Sequence, residues 1–285
     1  MCNLYDTTVI IIPYRDREDH LQRILPRFEK LFSDRDVRIL VIEQLDTLPF
    51  NRGRLLNLGF HTAKGLSNWV CFHDVDLVPV SGGELYSPPV GAAHLAGRAE
   101  QYDYQMPYQG YIGGVFAITR RAFIAIDGFA SEYWGWGRED DDLLLRLWVK
   151  NIPIEYRVGR FSSLPHNRQE ASAASNALFL SALKSRRNYA TSVEQREWID
   201  RKIRWIVNVY GSPDAGAGSE AGGLSTTSAA LISRRTLFRR RPSNSRKASF
   251  RCEVYSYDLS SPSTALNCAN DSESHAADMN SSDGA

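Results

Sequence analysis

The strongest constraint on the fold of this chain is a regular alternation of strand and helix patterns near its amino end. Three short apolar runs, Thr8 to Pro13, Val37 to Glu43 and Trp69 to His73, have the pattern of buried strands. Between them, apolar residues recur at helical spacing from Leu21 to Phe32, and Arg54 to Ala63 predicts a second helix. Such a β-α-β-α-β order predicts an α/β fold with a mostly parallel central sheet.

Local signals refine this pattern. Asp16 is placed to cap the first helix, and Pro26 predicts that this helix is kinked or shortened. Val115 to Thr119 predicts a further strand, and Glu139 to Lys150 predicts an amphipathic helix that opens with four acidic residues. A long helical region is expected from Glu170 to Val209.

Composition is that of an ordinary soluble enzyme, with 285 residues, 43% of them hydrophobic, and 34 basic against 33 acidic residues. A chain of this length can bury a substantial core in one main domain. No apolar run reaches the roughly 18 residues of a membrane-spanning helix, and no signal-peptide pattern opens the sequence. The cysteines lack zinc-ligand spacing and a disulfide-dense pattern, which favours a reducing compartment.

The segment from Tyr133 to Asp142 combines two tryptophans, two glycines and a run of carboxylates. Adjacent carboxylates repel one another and are rarely buried unpaired, so the run favours the handling of a ligand, a cation or a proton. Tryptophan faces commonly stack on sugar rings. The alternative is a simple acidic first turn, stabilised by the helix dipole. Because a first turn needs neither tryptophans nor glycines, their presence favours a functional site.

A second acidic element, Asp74-Val75-Asp76, follows the strand that ends at His73. In open α/β sheets, ligands bind outside the carboxyl ends of strands, where two carboxylates can hold a divalent cation that bridges phosphates. A bare Asp-x-Asp also occurs often by chance. Its position at a strand end favours the metal interpretation here.

Five motifs in order over residues 8 to 170 resemble the β-1,4-galactosyltransferases of animals and bacteria, glycosyltransferase family 7, and in particular their xylosylprotein branch. The motifs are Ile12 to Arg17, Phe50 to Gly53, Phe72 to Leu77, Tyr111 to Val115 and Trp134 to Asp142. The resemblance implies a GT-A-type glycosyltransferase fold with a Rossmann-like, mostly parallel sheet. It also implies a metal-dependent, inverting transfer of galactose from UDP-galactose to a sugar hydroxyl, which forms a β-1,4 linkage.

The resemblance assigns the metal and the catalytic base. Asp76 and His166 would bind the metal, and the imidazole favours Mn²⁺ over Mg²⁺. Without the family, His166 would be interpreted as a surface histidine. Ser163 stands where the family often has methionine or histidine, so metal affinity or choice is expected to differ. Asp140 would accept the proton of the attacking hydroxyl, with Glu139 positioning the acceptor or tuning the pKa of Asp140.

The resemblance also assigns substrate contacts. Tyr111 would favour galactose as the donor sugar, because a bulky ring crowds an N-acetyl group. Trp136 would be a platform between the sugars, on a glycine-flanked loop that closes to exclude water. The alternative for Arg15 and Arg17 is that they are simple surface charges before a helix, which the context of the motif disfavours. The implied donor contacts are Pro13, Arg15, Arg17, Phe50, Arg52, Asp74, Val75, Tyr111 and Trp136. The implied acceptor contacts are Gly114, Trp136, Glu139 and Asp141.

The predicted organisation has three parts. Residues 1–210 form the catalytic core. Residues 211–260 form closing strands with a basic insertion between them, since Gly222 to Leu224 and Phe250 to Leu259 resemble the closing strands of the family. Residues 261–285, rich in Ser, Asn and Asp, are expected to be disordered.

Alternatives to galactosyl transfer remain. The first is a transferase of the same fold that uses UDP-N-acetylgalactosamine or another UDP-sugar. The second is a carbohydrate-binding relative without catalysis, which the presence of Asp76, Asp140 and His166 together disfavours. The basic run from Arg234 to Lys247 could mark a nucleic-acid or anionic-membrane partner, but such runs are usually solvated. The expected partners are a UDP-sugar and a carbohydrate acceptor, without nucleic acid or a membrane span. The expected location is the bacterial cytoplasm, or the Golgi lumen for a trimmed catalytic domain.

Overall fold

The computed structural model describes residues 7–80, 82–166, 170–210, 222–224, 227, 229–240 and 249–260, without the side chains of 238–240. The strands are β1 (Thr8–Tyr14), β2 (Val37–Gln44), β3 (Trp69–His73), β4 (Leu77–Pro79), β5 (Ala92–His94), β6 (Arg98–Ala99), β7 (Val115–Thr119), β8 (Ile154–Tyr156), β9 (Arg160–Ser163), β10 (Ala230–Arg240) and β11 (Phe250–Asp258). The α-helices are α1 (Glu18–Leu31), α2 (Arg52–Thr62), α3 (Arg120–Ala125), α4 (Glu139–Val149), α5 (Ala173–Arg186) and α6 (Val193–Tyr210).

The centre is an eight-stranded sheet of order β10-β11-β2-β1-β3-β7-β5-β8. Strands β11, β2, β1 and β3 run parallel, and β1 pairs with β2 from Thr8 opposite Val37 to Tyr14 opposite Glu43. Strand β7 is antiparallel to both neighbours, as edge strand β10 is to β11. The predicted α/β fold with its β-α-β-α-β core is therefore confirmed.

Both faces of the central sheet are covered, which explains the continuous apolar sequence of β1. Val9 and Ile11 belong to the core on the α2 face, and Ile10 and Ile12 to the core on the α1 face. Each fully buried side chain of this size stabilises the fold by about 1.5–3 kcal/mol. Helix α2 approaches the sheet closely at Gly59, where an added Cβ would lie 2.3 Å from Ile11 Cγ2.

Helix α1 differs from the sequence expectation in two ways. It continues through Pro26 to Leu31, so the expected shortening is wrong. The proline ring lies on the exposed face, and burial of the opposite face outweighs the lost backbone hydrogen bond. Asp16 does not cap the helix either, because Arg17 occupies the cap position and Asp16 adopts a left-handed φ of 51°.

The carboxyl-terminal part of the described chain is also rearranged relative to expectation. Strand β11 forms as predicted, inside the sheet beside β2, whereas Gly222 to Leu224 is not part of a strand. The basic run begins within edge strand β10, where Arg234 Nε donates to Glu253 at 2.9 Å. Residues 241–248 of the expected insertion and the tail 261–285 lie outside the described residues.

A small three-stranded sheet, of order β4-β9-β6, lies beside the main one and was not predicted. It pairs Leu77 with Ser163, and Leu164 N donates to Asp76 O at 2.8 Å. Asp76 and the segment that follows β9 are thereby brought together close to the point where β3 ends. Among the described residues, no helix is both long and apolar enough to span a membrane.

Candidate active site

One cleft of about 670 Å³ collects every site residue named from the sequence. It opens where β1 and β3 end and where α2 and α4 begin, so strand ends and helix first turns supply its walls. The roles assigned to these residues stay predictions, whereas their convergence on one cleft is a property of the structure. The residues are Pro13, Arg15, Arg17, Phe50, Arg52, Asp74, Val75, Asp76, Tyr111, Gly114, Trp136, Glu139, Asp140, Asp141 and His166.

Arg52 is the central cation of the cleft. Its Nε donates to Asp74 Oδ1 at 2.7 Å, and its Nη1 donates to Asp140 Oδ1 at 2.7 Å. Glu139 Oε1 lies 3.5 Å from the same Nη1. The guanidinium belongs to the first turn of α2. Asn51 caps this helix, because its side chain accepts a hydrogen bond from Arg54 N. Arg52 therefore joins the Asp-Val-Asp segment to the acidic first turn of α4.

Burial sets the protonation of the carboxyl groups around Arg52. It raises the pKa of Glu139 to about 8, with the charge of Asp140 adding to the effect and Arg52 opposing it. Burial likewise raises the pKa of Asp74 to about 6, against the lowering effect of Arg52. For Arg52, burial disfavours the charge, but Asp140, Asp74 and Glu139 together raise its pKa well above the usual value. Burial thus favours the neutral form of Glu139.

Replacing Glu139 with glutamine is expected to change how stability depends on pH. The pKa of Glu139 is about 8 in the folded chain, whereas the ordinary value of 4.5 applies to the unfolded chain. Between these two pH values the folded state therefore binds a proton that the unfolded state has lost. This contribution to stability is present below about pH 4.5 and is lost as the pH rises to about 8. Urea unfolding at several pH values in this window should show a steeper fall for the wild type than for Glu139→Gln. Equal slopes would contradict the prediction.

Asp76 and His166 meet at the other end of the cleft, with His166 Nδ1 3.0 Å from Asp76 Oδ2. The hydrogen bond with Asp76 raises the pKa of His166 against the effect of burial. Burial would raise the pKa of Asp76, but the hydrogen bond and charge of His166 lower it below the usual value. The small sheet brings the two together, because β9 pairs with β4 directly after Asp76.

The pair fits part of a divalent-cation shell. One carboxylate and one imidazole are suitable donors for Mn²⁺. Ser163 Oγ accepts a hydrogen bond from Gln101 N at 3.1 Å, so this hydroxyl already has a partner in the protein. Within the described residues, no group of three or more His, Cys, Asp and Glu side chains could hold a metal. A cation held by Asp76 and His166 would therefore need further oxygen ligands from substrate or water.

The acidic run of α4 divides its carboxylates among different directions, because each residue is rotated by about 100° from the last. Asp140 faces Arg52, whereas Asp141 accepts from Tyr108 Oη at 2.8 Å and lies 3.3 Å from both Arg138 Nη1 and Lys202 Nζ. Asp142 is fully buried, bonded to Arg146 at 2.7 Å and Arg186 at 2.6 Å. Asp142 thus anchors the helix, and the preceding carboxylates line the cleft.

The loop before α4 has an unusual backbone. Gly135, Gly137 and Arg138 all have positive φ, at 82°, 92° and 82°. Gly135 N donates to Phe50 O at 2.8 Å, which ties this loop to the segment before α2. The Trp136 side chain is 50% exposed at the cleft. Its indole is therefore accessible from the cleft, and its stacking on a sugar stays a prediction.

Sequence reasoning missed several residues of the cleft wall. The missed lining residues include Asp16, His20, Gln101, Tyr102, Tyr108 and Arg138. A signal was present, since four tyrosines stand within ten residues, at positions 102, 104, 108 and 111. Tyr111 packs edge to face with both Tyr102 and Tyr108, at 5.6 and 5.4 Å between ring centroids. Aromatic rings with polar tips thus line one side of the cleft.

Known proteins resemble this chain in sequence. The family model described as the N-terminal region of glycosyl transferase group 7 matches residues 1–89. The model described as the N-terminal domain of galactosyltransferase matches residues 93–167. Human β-1,4-galactosyltransferase 4 is 38% identical over 176 residues, which are 59% of this chain and 51% of that protein. Human β-1,4-galactosyltransferase 2 is 37% identical over 177 residues, 59% and 48% of the two chains. The chain thus spans about half the length of the curated relatives it matches.

Solved structures share the fold. The catalytic domain of Drosophila β-1,4-galactosyltransferase 7, solved with xylobiose, superposes with a TM-score of 0.63 at 21% identity, covering 90% of this chain and 95% of that one. A mutant of the same enzyme, solved with manganese, UDP-Gal and xylobiose, gives a TM-score of 0.61 at 21% identity over the same shares. The fold of this chain is therefore the GT-A glycosyltransferase fold.

Proposed function

Because the chain belongs to the glycosyl transferase group 7 family, we propose that it transfers galactose from UDP-galactose to a sugar hydroxyl. The reaction is a metal-dependent, inverting displacement that forms a β-1,4 linkage. The observation that carries the proposal is the position of Arg52, which bonds Asp74 at 2.7 Å and Asp140 at 2.7 Å. Arg52 joins a diphosphate-binding half and a proton-accepting half in one cleft.

The diphosphate half must manage negative charge. Asp76 and His166 would hold a divalent cation, Mn²⁺ by the chemistry of the pair, and such a cation neutralises the charge of the leaving diphosphate. Arg15 and Arg17 border the same cleft and supply donors suited to phosphate oxygens. Arg15 Nη1 donates a hydrogen bond to Leu48 O at 2.6 Å, and its guanidinium carbon lies 5.4 Å from the Phe50 ring centroid. These two contacts orient the side chain. The Drosophila β-1,4-galactosyltransferase 7 structure that contains manganese and UDP-Gal supports Mn²⁺ and UDP-galactose as the pair held here.

The proton-accepting half is the first turn of α4. As the acceptor hydroxyl oxygen forms its bond to the anomeric carbon, the bond from that carbon to the diphosphate breaks. The hydroxyl proton passes to the Asp140 carboxylate, which Arg52 keeps oriented. Burial raises the pKa of the neighbouring Glu139, which favours its neutral form beside the proposed base. Trp136, half exposed above the cleft, can cover the reacting sugars.

Tyr111 supports galactose over N-acetylgalactosamine as the donor sugar. An added Cβ on Gly113 would lie 2.7 Å from Tyr111 Oη and 2.8 Å from Asp140 Oδ2, so the phenol stands beside the proposed base. A ring in this position reduces the room for an N-acetyl group. A UDP-N-acetylgalactosamine transferase is the second candidate, to be separated by the donor panel below.

The proposed partners are a UDP-sugar donor and a carbohydrate acceptor. Xylose-containing acceptors come first for testing, because the solved relative was obtained with xylobiose. The catalytic unit is proposed to comprise residues 1–210 together with the closing strands. Neither the fold nor the relatives support the cytoplasmic location expected from the sequence, and we do not retain it.

The test is acceptor-stimulated release of UDP in the presence of Mn²⁺. UDP-galactose, UDP-N-acetylgalactosamine and UDP-glucose are each supplied with xylosides, glucosides and N-acetylglucosaminides. We expect turnover with UDP-galactose, and its loss when EDTA removes the metal. Turnover with UDP-N-acetylgalactosamine instead would favour the second candidate. Tight UDP binding without turnover of any donor would favour a carbohydrate-binding relative.

A further inference from the structure

Helix α6 lies outside the residues matched by the family models, 1–89 and 93–167, yet it reaches the cleft wall. Its Trp198 is almost fully buried and packs edge to face on Trp148 of α4, with 5.2 Å between ring centroids. The helix is thereby attached to the element that carries Asp140 and Asp141. Its contacts with the tyrosine-bearing wall can then affect the cleft directly.

The first contact is with the backbone of the tyrosine segment, residues 108–111. Trp198 Nε1 donates to Gln109 O at 2.8 Å. Gly110 has a φ of +82°, and an added Cβ there would lie 3.2 Å from Trp198 Nε1 and 3.1 Å from Leu144 Cδ2. Glycine suits this position, because residues with a side chain rarely adopt such a φ and an added Cβ would be tight against both neighbours. The backbone between the two cleft tyrosines is therefore held against α6.

The second contact is made by the side chain of Lys202. Its Nζ lies 3.9 Å from the Tyr108 ring centroid and 3.3 Å from Asp141 Oδ2. Tyr108 Oη closes the triangle by donating to Asp141 Oδ1 at 2.8 Å. Tyr108 and Asp141 line the cleft, while Lys202 lies behind them and is not among the described lining residues. Lys202 thus fixes two groups that a ligand would touch.

We propose that Lys202 of α6 is a positioning residue for the acceptor sugar, which holds Tyr108 and Asp141 in the geometry that recognises it. This inference rests on the proposed function. Both oxygens of Asp141 already have protein partners, so the predicted acceptor contact depends on how those partners orient the carboxylate. A helix that the family models do not cover therefore determines acceptor recognition in this chain.

Lys202→Met tests the proposal, since methionine keeps a long side chain and removes the charge. We expect the acceptor KM to rise about tenfold, with kcat changed less than about threefold and the UDP-galactose KM unchanged. Lys202→Arg should restore most of the acceptor affinity. Arg201→Met is the matched control, because Arg201 is the residue of α6 directly before Lys202 and its side chain is 52% exposed.

The outcomes separate the proposal from the proposed function. An unchanged acceptor KM in Lys202→Met would overturn the proposal, and so would an equal loss of UDP affinity measured by calorimetry, which indicates a general structural defect. If Lys202→Met does not fold, Lys202→Gln is measured, because its amide can still donate to Asp141 whereas the charge over the Tyr108 ring is lost. A wild-type acceptor KM in that variant then overturns the proposal. Absence of turnover in the wild type would instead refute the proposed function.

Discussion

Replacing Asp140 with asparagine is expected to lower acceptor-dependent kcat by about 10²- to 10⁴-fold, the usual contribution of a general base. Asparagine keeps the shape of the side chain and an oxygen that can accept the hydrogen bond from Arg52, at 2.7 Å in the wild type. It cannot take the proton of the attacking hydroxyl. The cleft should therefore remain assembled, and the affinity for UDP should change by less than about twofold.

The measurement is UDP release with saturating UDP-galactose and Mn²⁺, together with calorimetric titration of UDP. Asp200→Asn is the control, because Asp200 pairs with Arg187 on the surface and does not line the cleft. It should leave kcat unaltered. If Asp140→Asn retained full turnover, another group would have to accept the proton, and the proposed mechanism would be wrong.

Replacing Arg52 with methionine is expected to destabilise the chain by about 3–5 kcal/mol and to abolish turnover. The guanidinium is the cation that faces Asp74, Asp140 and Glu139, and its side chain is only 12% exposed. Its removal leaves Asp74 and Asp140, whose side chains are only 28% and 24% exposed, without their cation. The free energy of unfolding from urea titration measures this loss.

The same change should depend on pH. Without Arg52, the pKa values of Asp74 and Glu139 lose a lowering influence, so both groups protonate more readily. The stability defect of Arg52→Met should therefore be smaller at pH 5 than at pH 8. Arg52→Lys should recover part of the stability but little activity, since an ammonium lacks the planar fork that bonds Asp74 and Asp140 together.

The control for this change is Arg121→Met, in which an exposed arginine of α3 is replaced. It should alter the free energy of unfolding by less than about 0.5 kcal/mol. A loss of similar size in both variants would show that the effect does not come from the buried carboxylates.

The sequence, with the family resemblance of its motifs, was sufficient for the parallel core and for many of the residues that line the cleft, although not for those of the tyrosine-rich wall. Strands such as β1 and β3 have continuous apolar sequences because both of their faces are buried, so their type follows from composition and length. Asp74 and Asp140 were recognised because polar groups follow a strand end and begin a helix. These signals are local in the chain, so the spacing of apolar and polar residues is enough to identify the strands, the helices and the polar residues at their ends.

Only the tertiary structure decided which of these groups touch. Arg52 and Asp140 are 88 positions apart, and Lys202 and Asp141 are 61 positions apart, so no local pattern pairs them. The small sheet that brings His166 to Asp76 joins short strands whose pairing depends on long-range hydrogen bonds. Likewise, Pro26 lies inside α1 because packing of the whole helix outweighs one local backbone preference. Local pattern therefore determined the elements and the reactive residues, whereas packing between distant segments determined their partners, their pKa values and the place of α6 at the cleft.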